Sequence, residues 1–179
     1  PGWLAEQAVD VASAAGLVVE VWDERRLAAE GFGGVLAVGG GSAAPPRFVR
    51  VEYRPEGSDR QAPVVLVGKG ITFDTGGLAV KPREGMVPMK TDMSGAAAVL
   101  AAVIAAPAAG VRRRVVGLLP LAENALGAGS YRPGDVVRHS AAGRRRSSTR
   151  TPRAGSCSRT RWRGPTPTWT PPSSSTSPP

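Results

Sequence analysis

Charged side chains that suit metal chemistry are concentrated in one glycine-rich stretch, between Val64 and Val99. Carboxylate oxygens are the ligands that hard divalent cations prefer, and a bound cation polarises a carbonyl and lowers the pKa of bound water. A desolvated Lys69 would offer a neutral amine, whereas a charged Lys81 would stabilise an oxyanion. The residue types predict metal-assisted hydrolysis, and ordinary surface Lys–Asp pairs remain the alternative. The residues concerned are Lys69, Asp74, Lys81, Lys90 and Asp92.

The elements that must position these side chains are a strand, a set of loops and a helix. The apolar run Val64 to Val67 predicts a buried strand, and a helix-forming run extends from Gly95 to Ala106. Glycines between them favour loops, because regular structure is costly where glycine recurs. Charged residues on loops that follow a buried strand are placed where α/β proteins keep their chemistry.

The rest of the first 138 residues alternates between strand and helix patterns. An amphipathic helix that ends near Gly16 is followed by apolar or alternating runs, and Asp23 is placed to cap a short helix. Arg50 and Glu52 are expected on the wetter face of their strand. The alternation predicts a mixed or parallel sheet covered by helices. The predicted strands are Leu17–Trp22, Val35–Val38, Phe48–Tyr53 and the run VVGLLPLAEN after Arg114.

Charge and hydrophobicity divide the chain into two parts. Residues 1–138 hold 15 Lys/Arg and 14 Asp/Glu, whereas residues 139–179 hold 8 Lys/Arg and no acidic residue. No Val, Ile, Leu, Met or Phe follows Val137, so the tail cannot offset its chain entropy by burial and is expected to be disordered. The lone Cys157 excludes a disulfide framework. No apolar run suggests a membrane span, so a cytoplasmic location without a membrane partner is expected.

Several specific runs resemble one enzyme family. VGKGITFDTGGLAVKP and MKTDMSGAAAV are similar to the signature of the leucyl aminopeptidase family, the two-metal cytosol aminopeptidases. LPLAENALGAGSYRPGDV, LAEQAV and VGGGSAAPPRFVRVEYRP resemble neighbouring blocks, so the likeness covers roughly residues 3 to 138. The resemblance implies a three-layer α/β/α sandwich with a mixed sheet, here truncated, in a partial catalytic domain of residues 1–138.

The resemblance also implies roles for individual residues. Lys69, Asp74 and Asp92 match ligands of two divalent ions, Mn or Zn, and Lys81 matches a catalytic lysine that stabilises the oxyanion formed from the peptide carbonyl. Met89 matches a residue of the pocket for the N-terminal side chain of the peptide substrate. Glu123 matches an Ala-Glu-Asn element, for which a structural role is favoured over a ligand role.

One expected segment is missing. The family's Asn-Thr-Asp-Ala-Glu-Gly-Arg run would supply two more carboxylates and an arginine, but SSTRTPRAGSCSRTRW stands in its place. The codons AAC ACG GAC GCC GAG GGC CGG CTC GTG encode that run followed by Leu-Val. Read one base later, they give Thr149 to Ser156 of this chain, and the remaining TG gives Cys157 when the next codon supplies C. We therefore expect the tail to be out of frame from about His139 onward, and the 179-residue product to be inactive.

A second function class depends on the tail alone. Its arginines, with Trp162 and Trp169 as stacking groups, suit a non-enzymatic nucleic-acid-binding protein. Out-of-frame GC-rich DNA yields Arg, Pro and Ser for coding reasons, which favours the aminopeptidase and speaks against a nucleic-acid partner. The family's usual assembly is a homo-hexamer, which is not assured for a chain lacking part of its domain.

Overall fold

A computed structural model describes residues 1–139 and the backbone of residues 144–146. The predicted disordered tail otherwise lies outside the described residues, as do Trp162 and Trp169. Five helices are seen in this part of the chain: α1 (Gly2–Ala14), α2 (Glu24–Ala29), α3 (Gly33–Gly39), α4 (Arg83–Met86) and α5 (Ser94–Ala105). The strands are β1 (Val18–Trp22), β2 (Arg47–Tyr53), β3 (Val64–Val67), β4 (Gly70–Asp74), β5 (Val115–Asn124), β6 (Val136–Arg138) and β7 (Arg144–Arg146).

The main sheet is mixed and is organised around β5. The strand order is β1-β2-β5-β3, with antiparallel pairs β1/β2 and β2/β5 and a parallel pair β3/β5. β4 also runs parallel to β5 and pairs with its second half, so β3 and β4 follow each other along one side of β5. The last residues of β4 and β5, Asp74 and Asn124, are therefore register partners. A separate two-stranded ribbon joins β6 and β7.

One face of the sheet is covered by α1 and α5. Small residues of α1 let the helix approach the strands closely, and Val49, Val51 and Leu121 reach the same core. This core contains Ala5, Ala8, Ala12, Leu17, Val49, Val51, Ala96, Val103, Ala106, Val115, Leu119 and Leu121. Because alternate residues of a strand point to opposite faces, Phe48 and Leu118 face the other way.

The second face is covered by α2 and α3. Leu27 and Val35 pack on Phe48, and Trp22 and Phe32 form close ring contacts with it. Asp23 caps α2 as predicted, since its carboxylate accepts a hydrogen bond from the Arg26 N–H at 2.8 Å. Helices on both faces confirm the predicted α/β/α sandwich.

The prediction of a strand at Val35–Val38 is wrong, because these residues lie in α3. A short apolar run does not by itself distinguish a buried strand from a buried helix. Gly33 begins this helix against the backbone of Arg138; a Cβ atom at position 33 would lie 1.8 Å from the Arg138 carbonyl oxygen. The close approach to β6 and the packing of Val35 against the side chains of Leu27 and Phe48 favour a helix here.

The β3 strand forms at the predicted residues but is not buried. The side chains of Val64, Val65 and Val67 are 38%, 47% and 44% exposed, and only Leu66 packs against the core. A continuous apolar run is typical of a strand covered on both faces and flanked on both sides. Within the described residues, β5 is the one strand that pairs with β3. The apolar run therefore predicts more burial of β3 than the described residues provide.

Glu52 is also placed differently from the prediction. It is 2% exposed rather than on the wetter face, and the guanidinium groups of Arg50, Arg54 and Arg114 all contact its carboxylate. A buried carboxylate is tolerable when charged partners replace its lost hydration. Alternation along β2 indicated the face correctly, but the degree of burial depends on arginines from three places in the chain.

One helical run among the described residues is long and apolar enough for a membrane span by length and composition alone. It covers Arg83–Ala105, 23 residues with a mean hydropathy of 1.3 in its most apolar window. The run consists of α4, a 3-10 turn and α5, and Asp92 in its middle pairs with Lys69. Since α5 packs Ala96 and Val103 into the core, the run acts here as part of the sandwich.

Candidate metal and catalytic site

Lys69 is positioned by a close contact between the loop after β3 and the beginning of α5. A Cβ atom on Gly68 would lie 2.4 Å from the Gly95 carbonyl oxygen and 2.7 Å from the Cα of Ala96. The Ala96 N–H donates to the Lys69 carbonyl oxygen at 2.7 Å. Glycine is needed here because any side chain would separate the loop from the helix. The contact holds the Lys69 backbone against the first turn of α5.

Asp92 reaches Lys69 from the turn that precedes α5. The 3-10 turn Val87–Thr91 ends at Asp92, whose N–H donates to the Met89 carbonyl oxygen at 3.2 Å. The Asp92 carboxylate forms an ion pair with the Lys69 ammonium. Met89 is half-buried on this turn, three residues before Asp92. Two of the predicted ligands and the predicted pocket residue are therefore linked through one short segment.

Asp74 and Lys81 are brought together by a tight turn. Gly76 and Gly77 have φ angles of +91° and +64°, which side-chain-bearing residues rarely adopt. The turn closes when the Lys81 N–H donates to the Thr75 carbonyl oxygen at 2.9 Å. As a result, Lys81 Nζ lies 3.1 Å from Asp74 Oδ2. The FDTGG run thus folds the predicted catalytic lysine back onto a predicted metal ligand.

Asn124 is a site residue that the sequence analysis did not identify. Its Nδ2 donates to Asp74 Oδ1 at 2.7 Å, and both side chains are buried. The Gly76 N–H donates to the same oxygen at 2.9 Å. The Ala-Glu-Asn element is the sequence signal for this residue, although the resemblance predicts a role only for its glutamate. Only the register between β4 and β5 reveals that the asparagine is the residue opposite Asp74.

Glu123 points away from this contact and is bound elsewhere. Its carboxylate accepts a hydrogen bond from the Ser42 hydroxyl, and Ser42 Oγ also accepts from the Ala44 N–H at 3.0 Å. The glycine-rich loop before Ser42 packs backbone to backbone on the loop after β5; a Cβ atom on Gly41 would lie 2.1 Å from the Ala125 carbonyl oxygen. These contacts give Glu123 a structural role and explain why glycines precede Ser42.

The donor chemistry of the site suits a divalent cation, but the donor set is too small for a complete centre. Asp74 and Asp92 provide hard oxygen atoms, yet each carboxylate is already paired with a lysine. No group of three or more His, Cys, Asp or Glu side chains that could hold a metal ion occurs in the part of the chain that the structure describes. Two lysines balance two carboxylates, so an added dication would meet no net negative charge.

The four residues therefore form two pairs that are tied to different ends of β4. Lys69 directly precedes this strand and binds Asp92, whereas Asp74 is its last residue and binds Lys81. The 3-10 turn that carries Met89 packs beside β4. Lys90, the remaining lysine of the stretch, is exposed on this turn. This arrangement places one buried carboxylate, Asp74, and one partly buried carboxylate, Asp92, beside ammonium groups. The ammonium groups suit stabilisation of a substrate oxyanion, and the carboxylates could contribute to a cation site only together with further ligands.

Comparison with known families identifies the same region. A family model described as "Cytosol aminopeptidase family, catalytic domain" matches residues 1–145. A protein named probable cytosol aminopeptidase from Leifsonia xyli subsp. xyli is 54% identical over 138 residues, which are 77% of this chain and 27% of that protein. Its namesake from Desulfovibrio desulfuricans is 51% identical over 138 residues, with 77% of this chain and 28% of that protein covered. The chain thus spans about a quarter of the length of these relatives.

Solved structures resemble the described fold over the same part. The bottromycin maturation enzyme BotP in complex with Mn is 48% identical with a TM-score of 0.72, covering 78% of this chain and 30% of that one. The cytosol aminopeptidase from Coxiella burnetii is 36% identical with a TM-score of 0.70, covering 76% of this chain and 29% of that one.

Proposed function

Because the chain belongs to the cytosol aminopeptidase family, we propose that it carries the first part of the catalytic domain of a metal-dependent aminopeptidase. The substrates would be peptides from which N-terminal, leucine-like residues are released. The observation that carries the proposal is the Lys81–Asp74 pair beside the Lys69–Asp92 pair, both within the stretch that the family model matches. The name of the relatives supports a cytoplasmic location.

Lys69, Asp74 and Asp92 are the residues of this chain that would hold the cations. The relative BotP is described in complex with Mn, which supports manganese over zinc. We propose two divalent ions, of which this chain supplies only part of the ligands. When bound, such ions supply Lewis-acid activation of water and of the peptide carbonyl. Ligands contributed by a further acidic segment are required, because the described carboxylates are already balanced by lysines.

Lys81 would act on the substrate itself. Its ammonium lies at the end of a rigid turn and can neutralise the negative charge that develops on the carbonyl oxygen during attack by water. Until substrate enters, Asp74 Oδ2 holds that ammonium at 3.1 Å. Met89, on the turn before Asp92, would line the pocket for the N-terminal side chain. Both roles are those that the resemblance to the family implies, and they stay a proposal for this chain.

The 179-residue product is proposed to be inactive. Its tail holds no acidic residue, so it cannot replace the missing Asp and Glu ligands. The agreement between Thr149–Cys157 and a shifted reading of codons that can encode the family run supports the proposal that the gene encodes the missing half in a reading frame one base earlier. Hexamer formation is proposed for the complete family domain and not for this chain, whose β3 strand is left uncovered.

A paired activity assay tests the proposal. The purified 179-residue chain and a second product, made from the same gene with one base inserted at the His139 codon, are assayed on leucine p-nitroanilide with Mn²⁺. We expect release of p-nitroaniline only by the frame-restored product, and at least about a 100-fold lower kcat in its Lys81→Ala variant. Clear turnover by the 179-residue chain would refute the proposal, as would a frame-restored product that folds but is inactive.

A further inference from the structure

The two oxygen atoms of Asp74 have different surroundings. Oδ1 accepts two hydrogen bonds, from the Gly76 N–H at 2.9 Å and from Asn124 Nδ2 at 2.7 Å. Oδ2 faces the Lys81 ammonium at 3.1 Å. A carboxylate bound in this way cannot rotate without losing charge-assisted hydrogen bonds in a buried place. Oδ1 is therefore occupied by hydrogen bonds within the fold, whereas Oδ2 contacts only the Lys81 ammonium among the observed partners.

Asn124 is itself held in position from several sides. It is the last residue of β5, is 9% exposed, and its carbonyl oxygen accepts from the Thr75 N–H at 2.8 Å and from Thr75 Oγ1 at 2.9 Å. A Cβ atom on Gly77 would lie 3.0 Å from Asn124 Oδ1, so the glycine leaves room for the amide. The amide is therefore fixed by the strand ladder and by the same turn that carries Lys81.

The residue before Asn124 provides an internal contrast. Glu123 lies on the opposite side of β5 and binds Ser42, and none of its observed hydrogen bonds involves Asp74. Loss of the Ser42 hydroxyl should therefore weaken the packing of the loop without changing the orientation of Asp74. This separates a general contribution to stability from an effect on the site.

Resting on the proposed function, we propose that Asn124 is a positioning residue that makes Asp74 a one-oxygen ligand. Asn124 and Gly76 occupy Oδ1, which leaves Oδ2 as the oxygen that meets a divalent cation or Lys81. A divalent cation held at Asp74 would compete with the Lys81 ammonium for this oxygen, so Asn124 would determine which single atom of Asp74 is open to either partner. Partners of this kind typically change metal affinity by 10–100-fold when removed.

The first arm of the test is independent of metal. In the ¹⁵N,¹³C-labelled 179-residue chain, a through-hydrogen-bond coupling between Asn124 Nδ2 and the Asp74 carboxylate carbon is expected, and it should persist in the Ser42→Ala variant. Its absence in the wild-type chain would overturn the inference, because Oδ1 would then not be bound by the amide.

The second arm uses Mn²⁺ as the probe. Paramagnetic broadening of backbone amide signals near residues 69, 76 and 92 is followed during titration of the frame-restored product, which carries the further acidic segment and serves here as the wild type, and of its Asn124→Ala and Ser42→Ala variants. We expect the midpoint to rise about tenfold in Asn124→Ala and to stay unchanged in Ser42→Ala, although both variants lose thermal stability. Equal midpoints for Asn124→Ala and the wild type would overturn the inference. If the wild type shows no localised broadening, the proposed cation site is wrong, and the coupling in the first arm alone decides the positioning of Asp74.

Discussion

The end of β4 and the strand β3 lie on the same side of β5. The polar groups at the end of β4 have their partners within the described chain, whereas the apolar side chains of β3 are not fully covered by it. At the end of β4, Asp74 is buried and both of its oxygens have partners. On β3, three of four valine and leucine side chains are 38–47% exposed. Both segments read as parts of a well-packed α/β core in the sequence. Only the first is complete within residues 1–139.

The difference separates local from distant determinants of the fold. The partners of Asp74 come from the turn that follows it and from β5, its neighbour in the sheet, so the contact forms without any further segment. Burial of Val65 and Val67 requires an additional layer or strand, because one paired neighbour covers only one edge. Among the described strands, only β5 pairs with β3, so these valines stay uncovered.

The largest expected effect contrasts a covered and an uncovered apolar side chain. Leu121 is fully buried beneath α1 and α5, whereas Val65 is 47% exposed. In the 179-residue chain, Leu121→Ala should lower the free energy of unfolding by about 2–5 kcal/mol, because it leaves a cavity. Val65→Ala should lower it by less than about 1 kcal/mol. Urea denaturation measures both, and similar losses at the two positions would mean that β3 is covered after all.

The turn that joins Asp74 to Lys81 should be the next most sensitive point. Gly76 combines a φ of +91° with a hypothetical Cβ only 2.4 Å from the Ala79 carbonyl oxygen, whereas Gly110 has a φ of +63° and open space around it. Gly76→Ala should cost about 2–4 kcal/mol of unfolding free energy, from strain plus a clash. Gly110→Ala should cost only about 1 kcal/mol, from its backbone angle. Equal costs would show that the turn is not closed against Ala79.

A smaller effect tests the buried ion pairs of Glu52 against a more exposed carboxylate. Glu52, Val116 and Val65 are aligned across β2, β5 and β3 by their register, yet only Val65 is exposed. Glu52→Gln removes the buried charge with which three arginines pair and should cost about 1–3 kcal/mol. As the matched control, Glu20→Gln alters a carboxylate that is 29% exposed and should cost less than about 1 kcal/mol. An unchanged unfolding midpoint in Glu52→Gln would contradict a stabilising role of these ion pairs.

Much of the fold was predictable because local patterns and global packing agree. The strands β1, β2 and β5, the Asp23 cap and the helix α5 follow directly from periodicity and capping residues. The strand prediction for Val35–Val38 was wrong because four apolar residues are too few to show a helical or strand periodicity. The helix α3 is favoured instead by its contacts with β6 and with the rings of Trp22, Phe32 and Phe48. The prediction that β3 is buried was wrong because burial depends on neighbouring segments, and within the described residues only β5 pairs with β3.

The candidate site was predictable in its members but not in its pairing. Lys69, Asp74, Lys81, Asp92 and Met89 all lie along β4 and its flanking turns. Which lysine meets which carboxylate depends on the Gly76–Gly77 turn and on the approach of α5 to Gly68. Asn124 was missed because its role depends on a β4/β5 register that spans 50 positions of sequence.

The most direct test of the central claim is the nucleotide sequence of the gene beyond the His139 codon. If this chain carries half of a cation site, translation one base earlier should give Asn-Thr-Asp-Ala-Glu-Gly-Arg opposite Thr149–Cys157, followed by apolar strand sequences. An earlier frame that is interrupted by stop codons, or that lacks the two acidic residues, would contradict the account.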